Sequence, residues 1–214
     1  MTDSTTDFAT HFATLCSARQ TILPKRLVEP GPNANQALQL LGSAASAPDH
    51  GQILPWRFIV VPAAVRGLLA DQFAAALVER DAAALPHQVE QAREKAFRSP
   101  LLMLVVVDAR RGDPDVDLLE RMVSAGCAVQ NVLLMATAQG FGSALTSGKA
   151  LKSDGLRCLF ALAEHDHAVC FVSVGTASTR KPGRVRPSPT DFASHLTLHH
   201  GVVQGLPDNL LESP

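Results

Sequence analysis

The side chains best suited to covalent or metal chemistry are scattered through this chain. Cys16, Cys127, Cys158 and Cys170 form no C-x-x-C pair, and Cys127 and Cys170 sit inside apolar runs, where a buried free thiol is ordinary. Disulfides and a cysteine zinc site are therefore not expected. His165 and His167 make an H-x-H, and His195, His199 and His200 cluster near the C-terminus. Neither group is joined by a cysteine or a carboxylate pair at ligand spacing, so no metal site is expected. Gly140-Phe141-Gly142 lacks the full G-x-G-x-x-G spacing and follows a helical pattern rather than opening one, so it is not a dinucleotide fingerprint. The stretch from Arg180 to Pro189 is rich in proline and arginine. Taken alone, Arg184 and Arg186 there read as solvated loop charges.

These residues must be positioned by a globular scaffold. Apolar residues make up 46% of the chain and charged residues 18%, enough for one domain with a substantial core. The formal net charge of −1 gives no global attraction to nucleic acid or to an anionic membrane. No apolar run is long enough to span a bilayer, and the polar, acidic stretch from Met1 to Thr10 lacks signal-peptide features, so a cytoplasmic protein is expected.

A first helix is expected over Phe8 to Arg19. Pro24, Pro30 and Pro32 keep the next stretch extended. Asn33 with Gln36 forms a capping box for a helix running to about Ser46. Trp56 to Val61 reads as a strand, Ala64 to Arg80 as an amphipathic helix, and Pro86 to Lys95 as another helix. The run from Leu101 to Val107 suits a buried strand. Leu118 to Gln139 reads as a long helix, apolar nearly all round from Ala125 to Ala138. Such a helix is central or lies at a subunit interface. Gly140 and Gly142 are expected to end it. Ser153 caps a short helix through Leu162, and Ala168 to Val174 reads as the last core strand. The organisation expected is a tail and first-helix start over residues 1–16, a domain over 17–192, and an arm or tail over 193–214. An arm laid across a partner subunit would explain that last segment, and a disordered tail is the plainer alternative.

Four segments in order resemble the nitroreductase family of FMN proteins, and are most similar to its small YdjA-type branch. They are Arg19-Gln20-Thr21 with Lys25-Arg26-Leu27-Val28-Glu29-Pro30, then Ala47-Pro48-Asp49-His50 with Pro55-Trp56-Arg57-Phe58. The third is Ser124-Ala125-Gly126-Cys127-Ala128 running to Gly140-Phe141-Gly142 and Ser147-Gly148, and the fourth is Val174-Gly175-Thr176 with the arginines after it. The resemblance implies an α+β fold with a mostly antiparallel central sheet flanked by helices. It also implies a homodimer with exchanged C-terminal arms and two FMN sites at the interface, with NAD(P)H as electron donor and a small, flat molecule as acceptor.

The resemblance also assigns roles. Arg19, Gln20 and Thr21 on one side, and Arg184 or Arg186 on the other, would hold the FMN phosphate through charge-assisted hydrogen bonds. Lys25 falls near the position of a basic residue close to the flavin ring edge, where a cation stabilises the charge that collects on reduction. It reads equally well as an exposed lysine. His50 would touch the flavin, and the alternative is a turn histidine bonded to backbone. Asp49 would fix that turn, and Trp56 would be core. Ser46, Leu145, Thr146 and Ser147 fall at further flavin-contacting positions. A nicotinamide-binding stretch of the branch maps onto Met135 to Gly140, although a helix so apolar is a poor direct partner for a charged dinucleotide.

The chain departs from the branch where contacts count most. Ser46 replaces a frequent arginine, Leu145-Thr146 a Trp-Arg pair, and Arg-Gln-Thr an Arg-Arg-Ser. Two modest losses, about 2 kcal/mol together, would raise the FMN dissociation constant roughly thirtyfold. The expected function is ping-pong electron transfer from NAD(P)H through FMN to a nitroaromatic, quinone or similar acceptor. A flavin-dependent dehydrogenase or flavin reductase with a narrow metabolite substrate is the alternative enzyme. A non-catalytic flavin-binding protein is the alternative outside enzymes.

Overall fold

A computed structural model describes residues 4–180, 182–198 and 201–206. It divides into two compact units, Met1–Arg180 and Lys181–Pro214.

The first unit is built on a five-stranded sheet. Its strands are β1 (Leu27–Val28), β2 (Trp56–Val60), β3 (Leu101–Asp108), β4 (Gly142–Thr146) and β5 (Asp166–Ala177). The path runs β1-β5-β3-β2, and β4 also pairs with β5. Every strand pair is antiparallel. β3 is buried from Leu102 to Val107, which is why it reads as an unbroken apolar run.

Strand alternation sends its side chains to two different layers. Met103, Val105 and Val107 join one core with Leu40, Ala44, Val132 and Ala136. Leu102, Leu104 and Val106 join another with Leu69, Ala70, Leu151 and Leu156. The first layer holds α1 (Ser4–Ala18), α2 (Ala34–Ala44) and α5 (Leu118–Ala138). The second holds α3 (Arg66–Arg80), α4 (Pro86–Glu94) and α6 (Asp154–Leu159).

Local chemistry sets most boundaries. Asn33 caps α2 with the reciprocal Gln36 bonds of a capping box. Asp117 caps α5 through the Glu120 amide. At the other end of α5, Gly140 has φ +83°, the Gly140 N–H donates to Thr137 and the Phe141 N–H donates to Ala136. This is a Schellman close, for which a left-handed glycine is the favoured residue.

Several sequence expectations shift here. Gly142 does not end α5, because it is the first residue of β4, a strand absent from the sequence reading. α1 begins four residues before Phe8, at Ser4. Pro24 opens a 3-10 turn, Pro24–Arg26, instead of holding extended chain. β5 starts two residues before Ala168 and ends three after Val174. α5 is buried by its own unit: Ala125, Ala128, Val132 and Ala136 pack into the core shared with α2 and the sheet. Its central position therefore accounts for its composition without a partner.

The second unit carries α7 (Pro189–Phe192) and a hairpin of β6 (Ser194–Thr197) and β7 (Gly201–Gln204), paired antiparallel. The expected arm thus contains regular structure. His199, His200 and residues 207–214 lie outside the described residues, as do residues 1–3 and Lys181.

Candidate functional site

The C-terminal end of the chain's first motif is tied to β4. The Ile22 N–H donates to the Ser143 carbonyl at 2.9 Å, and Thr21 bridges Ser143 in parallel. Arg19-Gln20-Thr21 therefore runs alongside the strand that leads into Leu145-Thr146-Ser147, although more than 120 residues separate them in sequence. Gly142 permits this closeness. A Cβ there would stand 2.9 Å from both Ile22 and Leu27. Arg19 and Gln20 are half-buried, and Thr21 is exposed.

Beside this junction lies a cavity of about 450 Å³ on the α3 side of the sheet. Its apolar wall is made by Phe73, Leu77, Leu102 and Phe171, with Phe73 and Phe171 packed edge to face at 5.7 Å. Thr146, Ser147 and Ser173 supply hydroxyls, and Leu23 and Pro24 close the side nearest the first motif. Four cations line it: Arg80, Lys95, Arg98 and Lys149. Lys25 belongs to an adjoining, shallower cleft with Leu27, Gln91, Glu94, Phe97 and Arg98.

Other expected site residues stand elsewhere. Ser46 is exposed just beyond α2, and His50 is exposed in a 3-10 turn, His50–Gln52, with Nδ1 3.5 Å from Glu120 Oε1 of α5. Both belong to the α2/α5 layer, across the sheet from the cavity. Asp49 fixes the turn before β2 by accepting the Leu54 N–H at 2.7 Å. Trp56 is buried, and its Nε1 donates to Ser124 Oγ at 3.0 Å, a core role. Arg184 and Arg186 are exposed residues of the second unit, ahead of α7. So one chain sets Thr21 beside Ser143, two residues before Leu145, and leaves Ser46 and His50 on the opposite layer.

The end of α5, proposed by resemblance as a nicotinamide stretch, serves packing. Gln139 Nε2 donates to Gln39 Oε1 and the Gln36 carbonyl of α2, and the Thr137 hydroxyl donates to Leu133.

The sequence reading missed the cavity's cations and aromatic wall. One signal was present: Phe73, Leu77 and Arg80, at i, i+4 and i+7, form one helical stripe that ends in a cation. The remaining cations come from the α4 end and the loop after β4, which only the fold brings together.

Among the described residues, no cysteine or histidine lines the cavity. Burial pushes the Cys170 thiol up to about 11, leaving it protonated at neutral pH. Asp166 is held below the usual carboxylate range, first by its hydrogen bonds from Arg57 at 2.9 and 2.7 Å. Among the described residues, no group of three or more histidine, cysteine and carboxylate side chains is placed to hold a metal ion. No helix among them is long and apolar enough to cross a membrane.

Thr21 beside β4, with Arg19 two residues away, suits a phosphate-bearing group, and the cavity's hydroxyls and aromatic wall suit a flat, largely apolar ring. The Ser143 hydroxyl, buried at the Thr21 bridge, has no hydrogen-bond partner among the described residues.

Residues 28–176 match the model of the Nitroreductase family. YdjA of Escherichia coli strain K12, named for a proposed NAD(P)H nitroreductase activity, is 34% identical over 173 residues, covering 79% of this chain and 92% of that protein. A nitroreductase-like family protein from Bacillus cereus superposes with a TM-score of 0.72 at 18% identity, covering 84% of this chain and 92% of the other. A structure from Desulfovibrio desulfuricans, described as a nitroreductase in complex with FMN, superposes with a TM-score of 0.62 at 20% identity, covering 82% and 91%.

Proposed function

This chain belongs to the nitroreductase family, an oxidoreductase family, and from that premise we propose that it is an FMN-dependent NAD(P)H oxidoreductase acting as a homodimer. The observation that carries the proposal is the Thr21–Ser143 bridge. It sets the Arg19–Thr21 stretch beside β4, whose last residue Thr146, with Ser147 after it, lines the aromatic-walled cavity.

Arg19 and Thr21 would hold the FMN phosphate, a role that the family resemblance also gives to Arg184 or Arg186. Thr146 and Ser147 would line the ring's polar edge, and Lys25 would stabilise charge there. Bound flavin supplies hydride and electron transfer between NAD(P)H and a nitroaromatic, quinone or similar flat acceptor, donor and acceptor using the site in turn. Phe73, Leu77 and Phe171 would exclude water and align the acceptor's flat ring, so the chain's contribution is orientation and electrostatics.

A second copy is favoured by the position of Ser46 and His50. They reach a flavin only if it lies where another subunit's α2/α5 layer meets the β4 edge. That layer also exposes Phe8, Phe12, Leu38, Leu119 and Val123, an apolar surface suited to burial. A monomer by light scattering at micromolar concentration would remove the composite site.

The decisive experiment is titration of apo-protein with FMN, followed by flavin fluorescence, then NADH and NADPH oxidation by the loaded protein. Arg19→Ala is expected to weaken FMN binding by about 1.5–3 kcal/mol with the fold intact. Unchanged affinity with lowered stability would make Arg19 structural. A loaded protein that oxidises neither nucleotide would favour the flavin-binding alternative.

A further inference from the structure

The cavity's charge exceeds what the proposed cofactor needs. Arg80, Lys95, Arg98 and Lys149 line it, and no aspartate or glutamate does among the described residues. Arg98 is partly answered by Glu94, 3.9 Å away. No carboxylate among the described residues stands within 4 Å of Arg80, Lys95 or Lys149. In a chain of net charge −1, this is a local concentration of positive potential above an apolar floor.

The cofactor's own charges have other proposed partners. On the reading proposed above its phosphate would be held by Arg19 and Thr21, and the charge gained on reduction would be met by Lys25. None of these is among the cavity's four cations. The surplus therefore faces something else that enters the cavity. The floor of Phe73, Leu77, Leu102 and Phe171 suits an aromatic ring. A volume of about 450 Å³ suits a molecule of one or two rings better than an entire dinucleotide. Cations at the rim over an apolar floor match a ring that carries a carboxylate at its edge.

We propose that the electron acceptor is an aromatic anion, a nitro- or quinone-type ring bearing a carboxylate, selected by Arg80 and Lys149 at the cavity rim. This rests on the flavin oxidoreductase reading and narrows its substrate class. For a nitrobenzoate, the overall reaction is ArNO2 + NAD(P)H + H+ → ArNO + NAD(P)+ + H2O. The nitro group takes two electrons and loses one oxygen as water, and the carboxylate takes no part.

The test compares 4-nitrobenzoate with 4-nitrobenzamide, matched in shape and differing by one charge. With FMN-loaded protein, kcat/KM is expected to favour the carboxylate by about tenfold at low ionic strength, the preference shrinking as salt is added. In Arg80→Ala/Lys149→Ala the ratio should fall toward one, and in the charge-conserving Arg80→Lys/Lys149→Arg it should persist. The ratio is the readout, so a general loss of rate in a variant does not decide the matter. Equal use of both acceptors by the unaltered protein, or a ratio insensitive to the double alanine variant, would overturn the proposal. So would a tenfold or larger rise in the FMN dissociation constant of that variant, which would assign the cations to the cofactor phosphate. Calorimetry of both compounds against loaded, oxidised protein gives the binding preference without turnover. If the loaded protein oxidises neither NADH nor NADPH, the oxidoreductase reading fails, while a calorimetric preference for the carboxylate, lost in the double alanine variant, still upholds the cation assignment. Nucleotide oxidation that reduces neither nitro compound would overturn the acceptor assignment.

Discussion

On its α2/α5 side the sheet is sealed, whereas on its α3 side it is sealed only in part. Met103, Val105 and Val107 meet α2 and α5 across a core that continues from Leu40 to Ala136. Leu102, Leu104 and Val106 meet α3 and α6, but beyond Leu102 and Phe171 the packing opens into the cavity. The same strand thus contributes stability through one face and a binding surface through the other. The contrast explains why substrate chemistry is expected where aromatic and aliphatic side chains remain half-buried, and why the apolar helix α5 is scaffold.

The contrast can be broken most severely at Arg121. This guanidinium is 1% exposed and donates to the carbonyls of Val116, Asp113 and Arg111, holding the loop between β3 and α5. Arg121→Ala strands those buried acceptors, and urea unfolding is expected to show a loss of about 3–5 kcal/mol. A loss under 1 kcal/mol would mean that the loop carries little of the sealed side's stability.

The two sides can then be compared directly. Leu40→Ala, fully buried against α5, should cost about 2–5 kcal/mol. Leu77→Ala on the cavity wall should cost less than about 1.5 kcal/mol, because its site is already open on one side, while raising the acceptor KM. Similar stability losses at the two positions would erase the distinction.

The smallest expected effect is a pH dependence shared across the sheet edge. Asp166 titrates below its ordinary value because Arg57 donates two hydrogen bonds to it. A carboxylate pKa lowered by folding stabilises the fold above the unfolded value. That contribution disappears as pH falls through the lower folded value. With Arg57 39% exposed, solvent screening limits the pair to about 1 kcal/mol or less. Asp166→Asn should therefore flatten the stability profile below about pH 4. An unchanged acid limb would assign it to other carboxylates.

Much of this arrangement was legible where the cause is local. The Asn33–Gln36 box, the unbroken Leu101–Val107 run and the long apolar pattern after Leu118 each carry their own signal. β4 was hidden because Gly142 read as part of the helix end, and Ser143 and Ala144 after it are too small to carry a strand pattern. The start of β5 was hidden because Asp166 and His167 are polar, and Asp166 is held there by Arg57, 109 residues earlier. The motif at Arg19–Thr21 was legible by resemblance, but its adjacency to Leu145–Ser147 depends on a strand the reading lacked. The cavity cations come from three separate elements and share no spacing that a linear reading could join.

Position 142 has room for one amino acid. Even a methyl group would press on Ile22 and Leu27 together, the residues on either side of the turn that follows the arginine motif. The motif and the strand beside it are therefore geared: displacement of one is passed to the other through side chains that leave no slack. A larger side chain at 142 would therefore part the motif from the strand beside it.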